Sequence, residues 1–242
     1  MRRSAVGGAV VVLLGVLGTA ACGAVPPLPP VDAVAADPAG AAAGAVASAE
    51  AADVLRTAVR ASVRVRTVGC TSVRTGSGFA VDAHTLVTNA HVVAGAEQLQ
   101  VDTWDGHQLA VTGSVTATVA DLAVVRTREE LPASVPLAGA DPSGGEAVTV
   151  VGYPHGEALA RATGTVTGPA EDPLQAAAAA VLQLEAPVAP GSSGSAVVDG
   201  SGSVVGVVYA GATTGEDAYA VPVSTLRAAL AARGPLDASA RC

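Results

Sequence analysis

The 242 residues are half hydrophobic and only 14% charged, with 28 Gly and 15 Pro, a balance that excludes disordered and fibrous classes. Thirteen arginines without a single lysine stand against 21 acidic residues, so the net charge of −8 offers no basic field for a phosphate backbone, and no nucleic-acid partner is expected. Isoleucine is absent too, and Asn, Phe and Trp occur once each; Asn89 and Phe79, which survive this skew, both fall inside motifs.

Residues 1–22 open with Arg2 and Arg3, continue as an uncharged apolar run from Ala5 to Leu17, and close on Gly18-Thr19-Ala20-Ala21-Cys22. That is a secretory signal pattern. A cysteine directly after small residues resembles a bacterial lipobox, which implies lipidation at Cys22; an uncleaved membrane helix over Ser4–Val25 is the alternative. Either way the body is expected outside the cytoplasm, anchored to the bacterial cell membrane through an N-terminal lipid or helix, or secreted. Residues 23–52 are rich in Pro, Ala and Gly with no core-forming period, and read as a disordered tether. Residues 53–242 remain as one domain. With Cys22 assigned to lipid, Cys70 and Cys242 are left, and in an oxidising compartment they are most simply a disulfide.

From Asp53 onward the chain is a succession of short β patterns. Val63, Val65 and Thr67 alternate with arginines; Phe79–Val81 and Thr85–Val87 flank a turn; Leu99–Val101 and Leu109–Val111 flank Asp105-Gly106. Further strands are predicted at 122–125, 147–151, 163–166, 181–184, 196–198, 204–209 and 219–221. Strands at this spacing with almost no helix between them give an all-β chain, an antiparallel barrel or sandwich. One short C-terminal α-helix is predicted, with Ser224 as N-cap, Leu226 and Leu230 on one face, Arg233 in the last turn and Gly234-Pro235 as the stop.

Three segments carry chemistry: TNAHVV with His91, ADLAVV with Asp121, and PGSSGSAVV with Ser193. Acyl transfer at neutral pH needs a hydroxyl nucleophile, an imidazole to take its proton, a carboxylate to fix the tautomer, and backbone N–H donors for the oxyanion. Gly191 and Gly194 permit a sharp loop around Ser193 whose amides at Gly191 and Ser193 could converge.

GSGFAV (76–81), TNAHVV (88–93), DLAVV (121–125), VVGYPHG (150–156) and PGSSGSAVV (190–198) resemble, in order and spacing, the chymotrypsin-like (trypsin-fold) serine proteases. The likeness is to the bacterial exported HtrA-type group, including its membrane-anchored mycobacterial members. The resemblance implies two six-stranded antiparallel β-barrels, with His91 as general base, Asp121 as its orienter, Ser193 as nucleophile and the Gly191 and Ser193 amides as oxyanion hole. It implies polypeptide substrates, no cofactor and no metal. The residues after Ser193 are needed for the last strands and helix, so no PDZ module and a monomer are expected. The order His, Asp, Ser is an independent check, since an α/β-hydrolase needs a His after its Ser and none follows His155.

His84 and His107 read as exposed turn residues and His155 as a structural loop residue. Ser192 and Ser195 rival Ser193, and Ser195 stands where the family has Gly. In the zymogen-activated branch an Asp replaces Ser192, so activation by insertion of a cut N-terminus is not expected. The fold places the base of the primary pocket six residues before the nucleophile, at Pro187, with walls from Tyr209, Ala210, Gly211 and Tyr219. Such a pocket favours an uncharged aliphatic side chain; a register error would bring Glu185 in and favour a basic one. The alternative function is a non-catalytic peptide-binding or envelope stress-sensing protein on the same fold, hinted at only by Ser195.

Overall fold

Valine, alanine and leucine supply nearly the whole interior, and β-branched valines on a half-buried pleat favour strands over helices. The computed structural model describes residues 53–69, 72–117, 120–174, 180–211 and 217–232. The signal and tether segments with Cys22, both members of the expected Cys70–Cys242 bridge, and Arg233-Gly234-Pro235 lie outside the described residues.

A helix that the sequence reading did not anticipate, α1 (53–61), precedes the strands and buries Ala58 and Ala61. The first unit comprises β1 (Ser62–Val68), β2 (Val73–Asp82), β3 (Thr85–Asn89), the short α2 (Ala90–Val93), β4 (Gln98–Thr103), β5 (Gln108–Leu109), β6 (Val111–Ala117) and β7 (Leu122–Thr127). They form a seven-stranded antiparallel sheet in the order β5-β4-β1-β2-β3-β7-β6. The seventh strand arises because the run expected as one strand, Leu109–Val111, breaks at Ala110. The Ala110 N–H donates to the Glu129 carboxylate (2.8 Å), and its carbonyl accepts from Arg128 N–H (2.9 Å). One half of the run then pairs with β4 and the other with β7. The two sheet edges, β5 and β6, are therefore consecutive in the chain, and no ladder joins them among the described residues, so this half is an open, half-barrel sheet.

The second unit comprises β8 (Ala147–Gly152), a 3-10 turn (Pro154–Gly156), β9 (Ala160–Ala170), β10 (Val181–Glu185), β11 (Ala196–Val198), β12 (Val204–Gly211), β13 (Asp217–Pro222) and α3 (Val223–Ala231). Its six strands close into a barrel in the order β10-β13-β12-β11-β8-β9, around Val148, Val150, Val166, Leu184, Val197 and Ala220. The overall architecture is the chymotrypsin-like pair of barrels. Ser224 is not the N-cap of α3, which is Pro222. Ser224 lies inside the first turn, where the Asp141 carboxylate accepts its N–H (2.8 Å) and its hydroxyl (2.6 Å), supplying from a distant loop the acceptor a capping side chain would provide.

Candidate functional site

Strand register brings the first two groups together. β3 pairs with β7 so that Asn89 lies opposite Leu122, and His91 and Asp121 leave the sheet at the same end of neighbouring strands. Asp121 carries φ +50, a left-handed conformation costly for a side chain with a Cβ. Four hydrogen bonds hold it there. Its carbonyl accepts from Ala90 N–H (3.0 Å) and from the side-chain amide of Asn89 (2.9 Å). Its Oδ1 accepts from the His91 N–H (2.9 Å), and its Oδ2 lies 2.6 Å from His91 Nδ1. The carboxylate is sheltered, with side-chain exposure of 12%, while the imidazole is 47% exposed. Nδ1 is thus engaged, and Nε2 is the nitrogen left for proton transfer. The chain's single asparagine is the clamp that keeps Asp121 in this unusual conformation.

The loop preceding β11 carries the third group. Gly191 (φ +95) and Gly194 (φ +87) occupy backbone conformations that favour glycine, and a Cβ on Gly191 would lie 2.7 Å from Gly156 N and Tyr153 O. Within the loop, Ser192 N–H donates to Ala189 O (2.9 Å), Gly194 N–H to Val208 O (2.7 Å) and Ser195 N–H to Ser192 O (2.9 Å). The amides of Gly191 and Ser193 find no acceptor among the described residues. A trans peptide points its N–H opposite to its C=O. The bond from His155 N–H to Pro190 O (2.5 Å) therefore fixes where the Gly191 N–H aims, as the Ser195 bond to Ser192 O does for Ser193. His155, exposed and at φ +58, is with Asp121 one of two non-glycine residues with positive φ among the described residues, and this backbone bond is what its turn delivers.

Of the three serines, only Ser193 is partly accessible; Ser192 is 5% exposed and Ser195 fully buried. The Ser192 hydroxyl accepts from Ala189 N–H (3.2 Å). Ser195 fits against Gly152, where any Cβ would collide with its hydroxyl, and that hydroxyl has no partner among the described residues. The Ser193 hydroxyl donates to Tyr209 O at 3.4 Å, not to His91. The two sets of groups meet at Gly76, where a Cβ would sit 2.7 Å from Val92 Cγ2 and 3.1 Å from Ser193 O.

A residue whose role the sequence reading missed, though it lies in the quoted GSGFAV motif, joins the barrels behind this loop. Ser77 on β2 is fully buried. Its N–H donates to Ser193 O (2.7 Å), its hydroxyl donates to Gly191 O (2.8 Å) and accepts from Tyr153 N–H (2.8 Å), and its carbonyl accepts from the Thr88 hydroxyl (2.7 Å). Tyr153, beneath the turn, has its phenol pushed up to about 12 by burial.

A cavity of about 600 Å³ opens beside Ser193, walled by Val188, Ala189, Pro190 and the stretch Val208–Gly211. Of the residues expected to form the pocket, Tyr209, Ala210 and Gly211 are in this lining, and Pro187 and Tyr219 are not. Beyond the end of β10, Ala186 is buried in the barrel core, Pro187 is exposed to solvent and Val188 lines the cavity. Glu185 is exposed on the outer face of β10, and no charged side chain is among the described lining. Among the described residues no group of His, Cys, Asp and Glu could hold a metal ion.

Residues 76–207 match the family model of the trypsin-like peptidase domain. Over 160 residues the chain is 36% identical to the mitochondrial serine protease HTRA2 of Bos taurus, covering 63% of this chain and 34% of that protein. It is 31% identical to serine protease Rv3671c of Mycobacterium tuberculosis, covering 62% of this chain and 40% of that protein. The crystal structure of the active form of the Rv3671c protease shares the fold, with a TM-score of 0.70 at 24% identity over 78% of this chain and 88% of that one. The chain spans roughly a third of the length of the curated relatives it matches.

Proposed function

The chain belongs to the trypsin-like peptidase family, and on that premise we propose that it is an exported, surface-tethered serine endopeptidase working through Ser193, His91 and Asp121. The observation that carries the reading is the 2.6 Å contact of His91 Nδ1 with Asp121, together with a loop that holds one accessible serine and two amides with no acceptor among the described residues.

The chemistry follows from these positions. Ser193 Oγ, turned from the Tyr209 carbonyl toward His91, gives its proton to Nε2 and attacks the substrate carbonyl carbon. The negative charge that develops on the carbonyl oxygen is taken up by the Gly191 and Ser193 N–H groups, whose directions are set beforehand by their neighbours' bonds. Asp121 keeps the Nδ1 proton in place and stabilises the imidazolium. His91 then protonates the leaving amine, the carbon–nitrogen bond breaks, and an acyl-enzyme remains on Ser193. Water, deprotonated by the same imidazole, hydrolyses it and returns the proton to Ser193.

The segments that would export and tether the protein are the signal pattern of 1–22, Cys22 and the Pro/Ala/Gly stretch to residue 52. Among the described residues no helix is long and apolar enough to cross a membrane. The uncharged lining of the cavity favours an aliphatic side chain before the cut bond. Hydrolysis of a denatured protein substrate tests the proposal: wild type cleaves it, and Ser193→Ala and His91→Ala do not while keeping the wild-type circular dichroism. Equal cleavage by the Ser193→Ala protein would overturn it.

A further inference from the structure

One side of the cavity beside Ser193 is supplied neither by β12 nor by the loop before β11. Leu174, on the connection from β9 to β10, lines it while remaining 59% exposed, one of only three large hydrophobics that are exposed among the described residues. An apolar side chain left in water at the mouth of an uncharged cavity gains by being covered when a substrate side chain enters.

Leu174 is not loosely placed. Its N–H donates to Asp172 Oδ1 (2.9 Å), and the same oxygen accepts the Tyr209 hydroxyl (2.5 Å). Tyr209 is 3% exposed, and burial, with the Asp172 carboxylate adding to it, pushes its phenol well above the ordinary range, so it stays a proton donor to that carboxylate. The carbonyl of Tyr209 is also the acceptor of the Ser193 hydroxyl, at 3.4 Å. One residue of β12 therefore touches the nucleophile with its backbone and, through phenol, carboxylate and amide in series, sets the distance from the nucleophile to Leu174.

We propose that Leu174 is a specificity-determining residue that packs against the substrate side chain preceding the scissile bond, with Asp172 and Tyr209 as its positioning residues. The inference rests on the assignment of Ser193 as nucleophile. It names the substrate class: polypeptides with leucine, methionine or valine at that position, held between Leu174 on one side and Val188 and Ala189 on the other. Aspartate and glutamate there would lose hydration near the Asp172 carboxylate, and no charged side chain is among the cavity's described lining to pair with lysine or arginine.

The test measures kcat/KM on a peptide series varied only at that position, together with fluorophosphonate labelling. Losing one apolar contact of this size costs about tenfold, so Leu174→Ala should lose about that factor on leucine substrates, mostly through KM. Leu174→Glu, a change at an exposed position that the fold tolerates, should raise the ratio of arginine to leucine cleavage by tenfold or more. Tyr209→Phe should raise KM on the same substrates, and the double variant with Leu174→Ala should show no further loss, which a merely structural role for Tyr209 would not produce. An unchanged profile in Leu174→Glu, with labelling intact, would overturn the specificity role and leave the protease assignment standing. Failure of the wild-type protein to label would overturn that assignment and the inference with it.

Discussion

Ser77→Ala deletes one oxygen and leaves two backbone groups, the part-buried Gly191 O and the buried Tyr153 N–H, without the partner they share. A buried polar group left unpaired costs about 1–3 kcal/mol, so Tyr153 N–H alone predicts a stability loss of that size, with a smaller addition from the part-buried Gly191 O. The backbone bond from Ser77 N–H to Ser193 O survives, which keeps the loop attached to β2. What is lost is the pin on the peptide that follows Gly191. Removing an oxyanion donor outright lowers kcat by about 10²–10³. The freed Gly191–Ser192 peptide carries neither donor but joins the two peptides that do, so its loosening should lower kcat by less, about 10–100-fold, with KM little changed because Ser77 is fully buried and touches no substrate. Steady-state kinetics well below the melting temperature, paired with calorimetry, separate the two effects. A variant that melts lower yet keeps kcat within about twofold of wild type would show that the hydroxyl serves the fold alone and would refute the link from Ser77 to the oxyanion donors.

Gly191→Ala should abolish peptide hydrolysis, since φ +95 and a Cβ 2.7 Å from Gly156 N cannot both be accommodated; retained activity in a kinetic assay would contradict the assigned geometry. Asp82, at the β2–β3 turn, is pushed up by partial burial, but bonds from His84 N–H and from Thr85, with the charge of Arg126, outweigh this and leave its carboxyl below the ordinary value. Its stabilising contribution is then complete above the unfolded value and fades as pH falls through the lower folded one, so the melting-temperature gap between wild type and Asp82→Asn should narrow from about pH 6 to about pH 3. A gap that widens on acidification would refute this. Cys70 and Cys242 should appear as one linked peptide in an unreduced mass map, and recovery of both as alkylated thiols would rule the disulfide out.

What the sequence made legible was what short segments encode by themselves. The triad candidates sit in motifs whose neighbours are all local: the strand that ends at Asn89, the strand that begins at Leu122, and the glycines around Ser193. Features made by distant partners were not legible. The break at Ala110 depends on Glu129, and the true acceptor at the start of α3 is Asp141, 83 residues from Ser224. Counting back from the nucleophile led to Pro187, and it could not show that Ala186 is buried, Pro187 exposed and Val188 part of the cavity lining. Leu174 follows an acid-and-proline turn with no periodic signal, and only the cavity marks it. Helix α1 could have been found: Val54, Leu55, Ala58 and Ala61 lie one, three and three residues apart, on one helical face.

Labelling the intact protein with a fluorophosphonate and mapping the adduct by mass spectrometry tests most directly the proposed role of Ser193, activated by His91, as nucleophile. The adduct should fall on Ser193 in the wild-type protein and be lost in both Ser193→Ala and His91→Ala. An adduct on Ser192 or Ser195, or undiminished labelling without His91, would contradict it.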